Sequence, residues 1–515
     1  MILPVNSHSV TRIRFLFPML FLFFLVGVKP SHAQATNCTS QGVSNSTTGA
    51  VTWTPQWCQE FNATTAGPPD TTVWSFDLGN NNGWGNNELE VYCGPAGYTG
   101  NPSQCPTMFS TTTNTAYLDG SGHLVIQPIN NNGTWISTRM KTQGITNFQY
   151  GRIEASITLP DTTNQGLWPA FWSLGSDITT TPWPACGEAD IMEDWSPSIF
   201  NGPGVNGNKS TIHTTATGGT GKGGSYTFPS GQQANTAFHT YGVIWSANMM
   251  QYYVDTPANP FFVITPSDLA SNDTWPFNAN IFLITNVAIG GTLGGSTQNL
   301  VNPQPMTFDY IRQYTASSVT APSLGNPPSI TVKAGATTGN TSAFIPTLAA
   351  NTGFVYFSCN TNAPKSTCAI TTNDPLNTHI VNSSPAGAAE TVTVAVATTA
   401  NAGSFPLLYN PRIPCWLPIA TLSTLIFLSV LFVTRLHGSR PAVRPAHGLV
   451  GLILAVALIV GCGGGGYSSP PPPPPSGGTT PGSYAVTVYA FTESNTSDGT
   501  NAHADASVQI PLTVN

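Results

Sequence analysis

Arg152-Ile153-Glu154-Ala155-Ser156-Ile157-Thr158-Leu159 alternates polar and apolar side chains without interruption. That is the period of a strand with one face on a core and the other toward solvent. His239 to Val254 and Phe308 to Tyr314 read similarly, and Gly, Asn and Pro punctuate the chain from about Trp53 to Tyr314. No segment carries a long helical period, so the chain reads as an all-β sandwich. Composition agrees. Only 7% of the 515 residues are charged, against roughly 25% in ordinary soluble domains. With 15 Lys+Arg against 22 Asp+Glu there is no basic excess to neutralise phosphates, which argues against nucleic acid as a partner. A hydrophobic share of 40%, with 12 Trp, excludes charge-driven disorder.

The two ends of the chain carry targeting signals. Arg12 and Arg14 precede an apolar run from Phe15 to Val28, and Ala33-Gln34-Ala35 closes it as a cleavage pattern. Residues 1–35 are therefore expected to be a signal peptide. Cys415 to Thr434 has the length of a transmembrane helix, and a second apolar segment spans 449–461. Arg435, Arg440 and Arg444 lie between them, so the hairpin they form would have its flanks on the outer side. Ile459-Val460-Gly461-Cys462 resembles a lipobox; either Cys462 takes a lipid or it closes a short apolar helix.

A linker at 317–328 leads to an expected immunoglobulin-like β module at 329–411. A Gly/Pro-rich spacer at 463–483 precedes a hairpin at 484–515, which either stands alone or completes that module. In an oxidising compartment the nine cysteines offer the pairs Cys93 with Cys105, Cys359 with Cys368, and Cys38 with Cys58; Cys186 is left over.

Chemistry concentrates in Cys186-Gly-Glu188-Ala-Asp190-Ile-Met-Glu193-Asp194-Trp195. On a strand Glu188 and Asp190 share a face, and strict alternation puts Glu193 on the other. A bulge at Ile191-Met192 returns Glu193 to the face of its partners and leaves Ala189, Ile191 and Met192 for the core. Carboxylates so gathered raise one another's pKa, so one stays protonated while another is ionised. Double-displacement glycoside hydrolysis needs that pair. Calcium binding and an acidic surface edge are the competing readings. Trp168 and Trp172 upstream, with Trp183 and Trp195 bracketing the cluster, suit a cleft that stacks on sugar rings, although core packing accounts equally well for Trp168 and Trp172.

Glu188-Ala-Asp190-Ile-Met-Glu193 resembles the E-x-D-x-x-E signature of glycoside hydrolase family 16, in the bulged form of its laminarinase-like members. Trp84-Gly-Asn-Asn87-Glu88-Leu-Glu90-Val-Tyr92 is similar to the family's W-G-N-N-E-L-Q-x-Y segment, with Glu90 in place of Gln. Arg139 to Gly144, Tyr150 to Glu154, Gly166 to Trp172, Phe238 to Trp245, Asn286 to Gly291 and Asp309 to Tyr314 follow in family order, so the resemblance covers about residues 50 to 315.

The resemblance implies a concanavalin-like β-jelly roll over 36–316 with the active site on its concave face. It makes Glu188 the nucleophile, Glu193 the general acid/base and Asp190 the residue that orients the nucleophile. Trp168, Trp172, Arg139, Asn87, His213 and Asn286 match cleft positions. No cofactor is required for the reaction. Asp309 matches a position that helps bind a structural calcium in some members; a strand-end turn residue is the other reading. The expected activity is endo-cleavage of β-glucan, foremost β-1,3-glucan. The rivals are a non-catalytic glycan-binding or adhesion protein, and a member acting on mixed-linkage glucan or a galactan. Export to the outer side of a bacterial membrane or cell surface, with attachment through the C-terminal apolar segments or release, completes the expectation.

Overall fold

In the computed structural model of the protein the alternating strand is Gly151–Thr158, and it lies at the middle of a ten-stranded sheet. It pairs antiparallel with His239–Ser246 on one side and Met306–Ala316 on the other. The structure describes residues 38–400 and 477–515, apart from 50, 302, 338–340, 349–352 and 383–389. Ile153, Ala155 and Ile157 turn inward, as the alternation requires. The polar side is not solvated. Arg152, Glu154 and Ser156 are buried as well, because the N-terminal segment folds across that face. Trp53, Val51 and the Cys38–Cys58 disulfide pack there with Tyr253 and Tyr314. Arg152 stacks 4.1 Å over the Tyr314 ring and donates to Ser46 Oγ, while Glu154 accepts from Tyr253.

A second, seven-stranded antiparallel sheet faces the first. Its order is Lys222–Thr227, Gly207–His213, Glu188–Glu193, Leu167–Gly175, Ile281–Ile289, Arg139–Lys141 and Ser75–Asp77. Phe171, Ala189, Ile191, Met192, Ile212, Leu283 and Val287 of this inner sheet close on Ile153, Ile157, Trp245, Phe308 and Ile311 of the outer one. Burial of that layer is the main stabilising term of the sandwich. The far face of the inner sheet is left to carry side chains that do not pack in the core. The fold is all-β; the single α-helical element among the described residues is the turn Gly291–Gly294.

Beyond the sandwich, a five-stranded and a three-stranded sheet enclose a separate core of Val355, Phe357, Val394, Val488, Ile510 and Leu512. The strand Phe354–Thr361 pairs with Gly482–Thr492, which pairs in turn with Ala506–Val514. This module therefore draws on chain from both sides of residues 401–476. Two expected boundaries shift. Gly482 and Ser483, placed in the spacer, begin a strand; Leu324, placed in the linker, is buried in the module's core, and Ser323 bridges to Thr347. Cysteines 93 and 105, and 359 and 368, are disulfide-bonded, and Cys186 is free and buried. The signal peptide (1–35), the apolar segments 415–434 and 449–461, and Cys462 lie outside the described residues; among those described, no helix is long and apolar enough to cross a membrane.

Phe357 is fully buried in the module's core. Phe357→Ala is expected to destabilise the module by about 3–5 kcal/mol, read as a lowered midpoint in denaturant unfolding followed by hydrogen exchange in the 354–361 strand.

Candidate active site

The Glu188–Glu193 strand pairs with Leu167–Gly175 in a register that slips once. Trp172 faces Asp190 and Phe171 faces Met192, so Ile191 has no partner opposite it. On the other side the register jumps between Asp190 and Glu193. This bulge buries both Ile191 and Met192 and returns Glu193 to the face of Glu188 and Asp190. Asp194, the fourth acid of the run, leaves the strand and is buried, accepting 2.6 Å from Thr162 Oγ1.

Each of the three carboxylates has a distinct partner. Glu188 Oε2 accepts 2.5 Å from the indole N–H of Trp183, a residue that sequence reasoning noted beside the cluster but did not assign to the site. Asp190 Oδ2 lies 3.3 Å from His213 Nε2, and Glu188 Oε1 lies 3.9 Å from the same nitrogen. Glu193 Oε1 accepts 3.0 Å from Trp168 Nε1. The opposite ring nitrogen of His213, Nδ1, bonds to the carbonyl of Gly218 at 2.6 Å. His213 is thus fixed at both ends.

Burial raises the pKa of Glu193 to about 7, with the charge of Glu188 adding to it and the Trp168 hydrogen bond opposing. Asp190 is pushed well above the carboxylate range by burial and by Glu193 and Glu188. Glu188 is raised by burial too, but His213, Trp183 and Asp190 all pull it back toward the ionised form. Burial lowers the pKa of His213, yet the hydrogen bond and charge of Asp190, then Glu188, overcome this and lift it to about 10. At neutral pH the imidazole is a cation beside Glu188, and Glu193 holds a proton for much of the time. Glu188, Asp190 and His213 are the one group of three or more donor residues among those described whose ligand atoms lie within 4.8 Å of one another.

At the other end of the sheet Arg139 sits between aromatic rings, 4.7 Å over Tyr92, 4.9 Å over Trp84 and 5.6 Å over Trp172. Its Nη2 donates to both oxygens of Glu88, at 3.1 and 3.3 Å. Tyr92 donates to Glu88 at 2.9 Å, Asn286 donates to Tyr92 Oη at 3.1 Å, and Trp172 Nε1 donates to Asn286 Oδ1 at 2.8 Å. Trp172, Arg139 and Asn286 are therefore one network; Glu88 and Tyr92 belong to it but were read only as part of a matching segment. Asn87 is exposed with left-handed backbone (φ 59°) and shows no side-chain contact to the carboxylates. Asp309 is half-buried on the outer sheet, away from the cluster, and no set of donor residues gathers around it among those described.

The model of the family described as Glycosyl hydrolases family 16 matches residues 106–311. A beta-glucanase of Rhodothermus marinus is 31% identical over 281 residues, which are 51% of this chain and 85% of that protein. The glucan endo-1,3-beta-glucosidase A1 of Niallia circulans is 31% identical over 274 residues, 50% of this chain and 37% of that one. Among solved structures, the endo-beta-1,3-glucanase from Pyrococcus furiosus is 29% identical with a TM-score of 0.44, covering 54% of this chain and 100% of its own.

Glu90, fully buried, accepts 2.7 Å from the Ile289 N–H. Burial, then the hydrogen bond and charge of Glu88, raise its pKa to about 8 from an ordinary 4.5. The native state keeps this proton over a range in which the unfolded chain has lost it, so the residue's contribution to stability falls as pH rises from 4.5 to 8. Glu90→Gln is expected to gain stability over wild type progressively from pH 5 to 8 and to show no further gain above that, read from unfolding midpoints at a series of pH values.

Proposed function

The chain belongs to glycosyl hydrolase family 16, and from that membership we propose that it is a retaining endo-glucanase that opens β-1,3-linked glucan. The observation that carries the reading is the bulge at Ile191-Met192, which sets Glu193 beside Glu188 on the open face of the inner sheet. Double displacement works with two carboxyl groups about 5–5.5 Å apart, and the charge of Glu188 is felt at Glu193.

In the first step a Glu188 oxygen bonds to the anomeric carbon while the bond to the leaving oxygen breaks, and Glu193 gives that oxygen its proton. In the second step Glu193 takes a proton from water, the water oxygen bonds to the anomeric carbon, and Glu188 is released. Asp190 and His213 hold Glu188 in place and favour its charged form. Trp168, Trp172 and Trp84 offer apolar ring faces to sugar rings, and Arg139 with Glu88 and Asn286 offers polar groups for hydroxyls. A neutral polymer suits a cleft whose recognition rests on rings and amides. The same reading has a jelly-roll catalytic domain followed by an immunoglobulin-like module. It also has the chain exported and held at the outer side of a bacterial membrane through 415–434 and 449–461.

Laminarin incubated with the full chain is expected to yield new reducing ends whose first-formed anomer, followed by NMR, retains the β configuration; inverted product overturns the nucleophile assignment. Glu188→Gln should remove activity with the fold intact, and Glu193→Gln should lower it about 10²–10⁴-fold. Because Glu193 acts first as an acid, kcat/KM of the wild type should fall as pH rises through about 7.

A further inference from the structure

The strand Phe262–Ile264 belongs to the outer sheet and Ile281–Ile289 to the inner sheet, so residues 265–280 cross from one layer to the other. That crossing touches two things that have no other reason to meet. We infer that the C-terminal module braces the catalytic cleft through this loop, and that Asp273 is a positioning residue for His213.

One side of the loop is held by the module. Asp268 Oδ2 accepts 2.6 Å from Asn377, and its Oδ1 lies 3.4 Å from His379 Nδ1. Ser267 and Tyr356 hydroxyls are 2.9 Å apart. Asn278 donates to the carbonyl of Asp498, and Asn248 donates 2.7 Å to that of Gly499. Gly499 fits so closely that a Cβ there would fall 2.0 Å from Asn278 Nδ2. Met249 and Val263 of the sandwich share an apolar cluster with Phe354, Tyr356, Ile380 and Phe491 of the module. Glu493 enters the same junction, accepting from Gln251 and from the Phe354 N–H.

The other side of the loop forms the wall behind the carboxylates. Asp273 accepts from Thr214 Oγ1 and, at 3.1 Å, from the Ala216 N–H. Those residues open the turn whose Gly218 carbonyl holds His213 Nδ1. Pro276 and Phe277 press on Gly187, where an added Cβ would come within 2.6 Å of Pro276 Cγ; Gly187 is the residue before Glu188. The path from module to cleft is therefore a continuous series of packed and hydrogen-bonded groups: Asn377, Asp268, the loop, Asp273, the 214–218 turn, His213. Spatial continuity alone does not establish coupling; the coupling has a specific signature. The groups that act on the ionisation of Glu188 are His213 across the sheet, Trp183, Asp190 on its own strand, and Arg139 further along; Glu193, on the same strand, feels the charge of Glu188. Of these, His213 is the one the loop positions. Loosening the loop withdraws a cation from Glu188, and Glu188 then needs a higher pH to ionise.

The inference rests on Glu188 as nucleophile. In the full chain, Asp273→Ala is expected to move the acid limb of kcat/KM on laminarin up by about 0.5–1 pH unit, and to lower kcat more than it changes KM. Asp273→Asn, which keeps an acceptor for Ala216, should recover most of the shift. Asn377→Ala, made in the module, should shift the limb in the same direction by a smaller amount. In a His213→Ala background, Asp273→Ala should add no further shift. A merely structural role lowers the amount of folded enzyme and leaves the limb where it was, so an unmoved limb in either Asp273→Ala or Asn377→Ala overturns the brace. If Asp273→Ala does not fold, Asn377→Ala alone decides. Full activity in Glu188→Gln would instead sink the nucleophile assignment, a separate outcome from an unmoved limb in an enzyme that Glu188→Gln inactivates.

Discussion

The Glu188–Glu193 strand has to close a core on one side and gather three carboxylates on the other, and a regular strand cannot do both with this order of residues. Alternation would bury Glu193 beside Ile191 and expose Met192. Burying an unpaired carboxylate is costly, whereas letting two apolar residues share the inward position costs only one lost pairing in the ladder. The bulge is the cheaper solution, and its by-product is a crowd of acids on an open face. Everything else on the inner sheet follows from managing that crowd. Trp183 and Trp168 each direct an indole N–H at one of the outer two acids, and His213 faces both Glu188 and Asp190.

His213 is central because its two nitrogens do different jobs. Nδ1 is tied to a carbonyl, which fixes the ring and sends Nε2 toward Asp190 and Glu188. A cation there draws Glu188 back toward the ionised form, and it acts in the same direction on Glu193. If Glu188 attacks and Glu193 gives the proton, as we propose, their division of labour is set less by the glutamates than by what stands next to each.

Much of this was legible in the sequence because the decisive features are local. Two adjacent apolar residues between acids break the period of two, and a bulge is what such a break implies; the structure puts it at Ile191-Met192. The inward row of Ile153, Ala155 and Ile157 was legible for the same reason. What local pattern could not give is what another part of the chain covers. Arg152 and Glu154 looked solvated because nothing near them in sequence says that Trp53 and the first disulfide will lie over them. The hairpin after 482 pairs with a strand more than a hundred residues earlier, a register that no turn specifies. Asp273 carries no motif, and its importance appears only once Thr214 and Ala216 are beside it.

The scarcity of charge gives a final reason to read the inner sheet as a site. A chain with 7% charged residues has few ions to place, yet this sheet holds Arg139, Lys141, Lys209 and His213 on two of its strands. Each stands beside an acid: Arg139 with Glu88, Lys141 with Asp77, Lys209 opposite Glu193, His213 with Asp190. Ion pairs taken out of water seldom repay the cost of desolvating them, and a sheet that needed only to cover a core would be served by Thr and Ser. The pairing makes sense if the acids are required there. On the proposed function, recognition of an uncharged polymer is left to rings and amides, and the fixed charges serve the carboxylates.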